Sequence, residues 1–229
     1  MKTKYLVTCM SLALITGGLS ACGSGGSTST SDQISSVGTI TGFGSIYVNG
    51  IEFETTHASY RVDDEDAFDD SSLAVGMKVK VVGSVNSDGV TGMANQVYYD
   101  DDIEGPIDTA SLNLDTVSGI ATFTILGLDI KASANSTVYD NGASFSGLIE
   151  GQKLEISGYF DGSQIIASRI EKQNDLDSEF ELKGTVTAYD GSTVTLSLQN
   201  SAPAGPYTIS GSAILEIPAD PVGEFVEIK

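Results

Sequence analysis

The stretch from Gly151 to Ile170, "GQKLEISGYFDGSQIIASRI", is written a second time, more loosely, from Gly76 to Val97 as "GMKVKVVGSVNSDGVTGMANQV". A third copy starts at Gly223 as "GEFVEIK". The anchor glycines at 76, 151 and 223 are 75 and 72 residues apart, while Ala94/Ala167 and Val97/Ile170 are both shifted by 73. Two anchor sets with nearly one period define an internal repeat, one supersecondary unit used again and again.

The phrase itself encodes strands. Leu154, Ile156, Gly158 and Phe160 alternate with Lys153, Glu155, Ser157 and Tyr159, the two-residue period of a half-buried strand. Val79, Val81, Gly83 and Val85 repeat the inner row, and Val226 and Ile228 begin it a third time. The inner-row glycines, Gly83 and Gly158, mark a bend or a close backbone approach inside a small barrel. Asp88-Gly89 and Asp161-Gly162 then supply the positive φ angles of tight hairpins. An opening half precedes each phrase, with Asn49-Gly50 and Asp190-Gly191 at turns. The runs "SSLAVG" and "SGLIEG" read as single helical turns ended by the anchor glycine. No segment after Val37 keeps a 3.6-residue apolar period, so the fold class is all-β. Five or six short strands in about 70 residues point to tandem small OB-like barrels. A β-sandwich built across neighbouring units is the competing architecture. Units this small bury a lesser fraction of their surface and are only marginally stable alone, so neighbours are expected to pack together.

The first 22 residues, "MKTKYLVTCMSLALITGGLSAC", have two lysines, a short apolar run, small residues and a cysteine. That is the layout of an export signal, and its apolar run is too short to span a bilayer. Leu19-Ser20-Ala21-Cys22 resembles the lipobox of bacterial lipoproteins. The resemblance implies diacylglyceryl transfer to Cys22, cleavage before it and acylation of the new amino group. Gly23, in place of Asp, then implies passage to the outer membrane, with the periplasmic or surface side left open. Residues 23–36, "GSGGSTSTSDQISS", read as a flexible tether. The expected division is a signal peptide at 1–21, a tether at 22–36, and β repeats at 37–102, 103–174 and 175–229. The third repeat lacks the inner glycine, turn and return strand, which would leave a bare strand edge. On that ground the chain is expected to be a truncated reading of a longer one.

Chemistry is sparse. With 31 Asp plus Glu against 11 Lys plus Arg, the formal charge is −20, the wrong sign for a nucleic-acid partner or for adsorption to an anionic bilayer. His57 is the single histidine, so no histidine triad or multi-histidine zinc site can be built. No nucleophile elbow or phosphate loop occurs, and no catalytic residue is assigned. Two acidic clusters, "DDEDAFDD" and "YYDDDIE", hold the residues that could ligate calcium: Asp63, Asp64, Asp66, Asp100, Asp101 and Asp102. They lack the spacing of a calcium loop, and the competing reading is a solvated surface; no cofactor is expected. Tyr98, Tyr99, Tyr159 and Tyr189 could stack on sugar rings or partner proteins, or could cover hydrophobic edges.

The run V-x-G-x-I/V, an Asx-Gly hairpin, then L-x-x-G-x-x-V-x-V-x-G and A-x-x-I resembles the bacterial envelope domain known as domain of unknown function 5666. Leu73 and Gly76 with Val79, Val81 and Gly83 carry it first; Leu148 and Gly151 with Leu154, Ile156 and Gly158 carry it again. The resemblance implies a tandem β-barrel lipoprotein and brings no catalytic residues. The expected function is a non-catalytic structural or interaction module, binding protein or glycan. The alternative is a calcium-dependent binder or a carboxylate-based hydrolase using the acidic loops.

Overall fold

Period-two alternation with turn residues between the runs dictates strands that hide one face, and 19 strands form among the described residues. The computed structural model describes residues 33–63, 65–99, 101, 103–173, 180–198, 201–208 and 220–228, and the backbone of 7–10. That backbone segment is strand β1 (Val7–Met10).

The first repeat contains β2 (Ile34–Gly42), β3 (Ile46–Val48), β4 (Ile51–Glu54), β5 (Ser59–Val62), β6 (Glu65–Ala67), β7 (Lys78–Val85) and β8 (Thr91–Tyr99). Strand β2 pairs antiparallel with β3 and β7, β3 with β4, and β7 with β8. Strand β4 then lies parallel to β8, with Phe53 opposite Gly92, and closes the ring. This circuit, with one parallel pair at the closure, is that of an OB-like barrel. The β5–β6 hairpin hangs on the outer side of β8. Because the strands close on themselves, the sandwich alternative is overturned.

The second repeat contains β9 (Ile103–Pro106), β10 (Asn113–Asp115), β11 (Ile120–Ile125), β12 (Leu128–Ser133), β13 (Val138–Asp140), β14 (Lys153–Phe160) and β15 (Ile165–Lys172). It follows the same path: β9 with β14, β14 with β15, β15 parallel to β12, and β12 with β11. A single bridge, Ile107 to Ile125, closes it. The third unit contains β16 (Glu181–Tyr189), β17 (Thr193–Leu198), β18 (Pro203–Thr208) and β19 (Phe225–Ile228). Strand β16 pairs with β17 and β19, and β17 with β18. Strand β1 lies antiparallel to β19, the position that β8 and β15 hold beside β7 and β14.

The anchor glycines have one backbone role in all three units. Gly76, Gly151 and Gly223 have φ of 94°, 77° and 94°. Each donates its N–H to a first-strand carbonyl, that of Ile40, Ile107 or Val186, over 2.9 Å. That first-strand residue returns an N–H to the residue after the glycine, Met77, Gln152 or Glu224. Only a residue without Cβ enters this φ region without strain. One turn earlier, Leu73 and Leu148 are buried beneath short 3₁₀ turns at Asp70–Ser72 and Phe145–Gly147.

The inner rows fill the interiors. Val79, Val81, Leu154, Ile156 and Val226 are at most 2% exposed. Ile40, Ile46, Val48, Phe53, Ala94, Val97 and Tyr99 complete the core of the first barrel. One continuous core runs through the second barrel and the third unit, joining Ile103, Phe123 and Ile130 to Leu182, Leu196 and Val226. Gly83 and Gly158 sit where the ladder slips register, next to Val82 and Ser157. A Cβ on Gly83 would lie 2.0 Å from the Met93 carbonyl oxygen, and one on Gly158 2.5 Å from that of Ile166. Gly83→Ala is therefore expected to lower stability by about 1–3 kcal/mol through overpacking. Urea denaturation checks this, and an unchanged midpoint would refute the close approach.

Candidate functional site at the barrel junctions

The outer rows were expected to face solvent, and at the junctions they do not. Lys78, Lys153, Ser157, Arg169 and Lys183 are all buried. The reason lies in the neighbouring unit. A charged side chain leaves water only where partners replace its hydration, and here those partners come from the next barrel or the next strand.

Between the first two barrels, Tyr99 at the end of β8 is 2% exposed. Its hydroxyl donates to Glu155 Oε1 over 2.5 Å and lies 3.2 Å from Ser157 Oγ, both on β14. The Gln173 amide donates to the other Glu155 oxygen over 2.5 Å. Arg169 on β15 reaches back to the Val75 carbonyl over 2.9 Å while ion-pairing Asp140 and Glu171. Ser168 Oγ donates to the Gly76 carbonyl over 2.7 Å. A Cβ on Gly76 would lie 3.0 Å from both Arg169 Cβ and the Ser168 carbonyl, whereas Gly151 and Gly223 face open space. The first anchor glycine thus serves its own barrel and the contact with the next.

The third unit is fixed by one ammonium. Lys183 on β16 is 2% exposed, with Nζ 2.7 Å from Glu181, 3.2 Å from Asp101 and 3.9 Å from Asp63. Asp63 belongs to the β5–β6 turn of the first barrel, Asp101 to the linker after β8, and Glu181 to β16 itself. The register adds a second demand for positive charge. Glu155 stands opposite Glu104, and Glu104 opposite Glu181, across the adjacent strands β14, β9 and β16. Like charges directly opposed in a sheet repel. Lys153 pairs Glu104 over 2.7 Å, Lys183 pairs Glu181, and Glu155 has neutral donors only in Tyr99 and Gln173 among the contacts just described.

The acidities follow from this arrangement. Burial first, against the lowering bond from Tyr99 and with the charges of Glu171, Asp63 and Glu104 adding to it, pushes the Glu155 carboxyl up to about 7. Burial also holds Asp101 well above the usual carboxylate range, with Lys183 pulling it down and Glu181, Glu155 and Asp63 pushing it up. The Tyr99 hydroxyl is raised by burial first, then by the Glu155 charge.

Among the calcium candidates, Asp63 and Asp101 converge on Lys183, while Asp66 is exposed on β6. Asp64, Asp100 and Asp102 lie outside the described residues, as does Cys22. Among the described residues, no group of three or more His, Cys, Asp or Glu side chains is placed to hold a metal ion. His57 lies exposed in a turn. Of the four tyrosines considered for stacking, Tyr99 is buried in the junction, Tyr98 carries the Lys80 ammonium 5.7 Å above its ring, Tyr189 is half-buried and Tyr159 is 55% exposed. Sequence reasoning missed Lys183, Arg169, Glu155 and Gln173. Their signal was the difference between copies: Arg169 stands where the first repeat has Gln96, and Glu155 where it has Lys80.

Closed OB-like circuits repeated in series, with shared anchor glycines, define a tandem-barrel protein. Residues 33–97 and 104–171 each match the family model described as a domain of unknown function (DUF5666). The chain belongs to that family and carries two tandem copies of its domain. No curated protein matches the chain.

Two results are expected at the junctions. Lys183→Met leaves its carboxylates without their cation and is expected to cost about 3–5 kcal/mol; denaturation and limited proteolysis of residues 180–228 measure it. For Glu155, the folded pKa lies above the ordinary value, so the folded state favours the protonated acid. Stability therefore falls as pH rises from about 4.5 to about 7 and is level above, by up to about 3 kcal/mol at roughly 1.4 per unit. Glu155→Gln is expected to remove that decline, and identical pH profiles for the two proteins would refute the assignment.

Proposed function

We propose that this protein is a lipid-anchored bacterial envelope protein whose barrels act as a non-catalytic structural or interaction module. One observation carries the reading: the buried ionisable groups, Lys183, Arg169, Asp101 and Glu155, are engaged in holding units together. A hydrolytic pair would need carboxyls facing a substrate cleft across a fixed gap. Here Glu155 and Asp101 face protein. The calcium alternative loses support at the same place, because an ammonium lies where Asp63, Asp101 and Glu181 converge.

Anchoring rests on Cys22 and the residues before it, and cleavage before Cys22 removes β1, which pairs with β19 in the uncleaved chain. Acyl chains contribute about 0.8 kcal/mol per buried CH₂, and several are needed for a stable hold. The expected tether is shortened by strand β2, which begins at Ile34 and not after Ser36; a Gly/Ser-rich stretch of residues 23–33 would span roughly 15–20 Å as a random coil and clear the headgroups. Behind it the barrels are joined by the junction contacts. Such a body is suited to presenting a surface at a set distance from the outer membrane, and its −20 charge disfavours nucleic acid as the partner. Expression in a Gram-negative host with an alkyne-labelled fatty acid tests the anchor. Label on the wild type in the outer-membrane fraction is expected, and Cys22→Ala should lose both label and fraction. Label that survives the substitution would overturn the anchor.

A further inference from the structure

The carboxylates around Lys183 are not equivalent. Asp63 is exposed and lies 3.9 Å from Nζ. Glu181, two residues earlier on β16, is 2.7 Å away, with 18% of its side chain exposed. Asp101 comes from the linker after β8, its side chain 7% exposed and its Oδ1 3.2 Å from Nζ. The lysine side chain itself is 1% exposed. An amine and a carboxyl from distant parts of the chain are thus held in contact away from water, and a second carboxylate touches the same nitrogen.

Those are the requirements for forming an amide. In bulk water an ammonium and a carboxylate do not condense, because hydration favours both ions and water drives the reverse reaction. A site closed to water removes both obstacles. Burial holds the Asp101 carboxyl toward its neutral acid form, with Lys183 opposing and Glu181, Glu155 and Asp63 adding to it. The neutral acid is the form that accepts an amine at its carbon. Fixed contact also replaces the search for a partner, an advantage that reaches about 10⁵–10⁸ M in effective concentration for well-oriented groups.

We propose that Lys183 and Asp101 join in an intramolecular isopeptide bond, with Glu181 relaying the protons. The Glu181 carboxylate takes one proton from the ammonium, and the freed Nζ lone pair adds to Asp101 Cγ. Glu181 then gives that proton to the departing Asp101 hydroxyl and takes a second one from the nitrogen. The C–N bond forms, the C–O bond breaks and one water leaves. Ammonium, neutral acid and carboxylate become amide, water and a protonated Glu181, so atoms and charge balance with no oxidant or activated acyl donor. Asp101 takes the acyl role because it is the more deeply buried of the two carboxyls. The reaction runs once per molecule. It closes residues 101–183, which contain the whole second barrel, into a covalent ring.

Peptide mapping tests this. Full-length protein purified in detergent is digested with trypsin, and the peptides are analysed by mass spectrometry. Trypsin cleaves after a free Lys183 and not after an acylated one. The expected product joins residues 81–131 to residues 173–229 and is lighter than the two together by one water. Lys183→Arg, which keeps a cation among the carboxylates, and Asp101→Ala are each expected to lose the joined peptide. Glu181→Gln is expected to slow its appearance after a synthesis pulse by about a hundredfold, within the usual range of acid–base catalysis. Separate peptides 81–131, 173–183 and 184–229 from the wild type, with no joined product, overturn the proposal, and that digest decides even where a variant fails to fold. A joined peptide that survives Asp101→Ala also overturns it, and an unchanged rate in Glu181→Gln removes the relay.

Discussion

A single ammonium, Lys183 Nζ, lies among carboxylates drawn from the first barrel, the linker and the third unit. In a protein of 31 acids and 11 bases, an interior cation is a scarce resource, and its position decides which surfaces can approach one another. Asp101 and Glu181 are largely withdrawn from water, and a buried carboxylate left without its cation is strongly destabilising. The mutual placement of the units therefore follows from Lys183, with Arg169 and the Tyr99–Glu155 bond fixing the other seam. The barrels supply walls; these few polar groups join them.

Much of the barrel was legible in the sequence because a strand with one dry face must alternate, and the rows through Val79 and Val81 and through Leu154 and Ile156 did so plainly. The hairpin turns were equally open to reading, since Asn49-Gly50 and Asp161-Gly162 state their φ requirements in their side chains. What could not be read was the fate of the outer row. Lys153 and Ser157 look like solvent-facing residues when one strand is considered alone. Their burial depends on β9 arriving beside β14 and on Tyr99 arriving from another barrel, and both are pairings of high sequence separation. Neither periodicity nor spacing within a unit carries that information.

The acidic clusters show the same gap between composition and placement. Asp63 and Asp66 stand three residues apart and both are exposed, yet only Asp63 lies beside the buried Lys183 ammonium, 3.9 Å away, among the contacts described. Density of charge along the chain suggested a cation site; the geometry places the protein's own lysine there. The two copies of the family domain are thus alike in their interiors and different in their exteriors. The differences at Gln96/Arg169 and Lys80/Glu155 lie where one copy meets another.

Strand β9 is only four residues long, yet it is bonded on both edges, to β14 of its own barrel and to β16 of the following unit. Releasing β16 strips one edge of β9 and leaves the ring through β14, β15, β12 and β11 intact. Releasing β9 opens both bodies at once. Local opening is therefore graded along the chain: the C-terminal strands part from the β9 edge only by giving up the shared core and the Lys183 contacts, while the second barrel, hinged on this shared ribbon, gives way only with its neighbours.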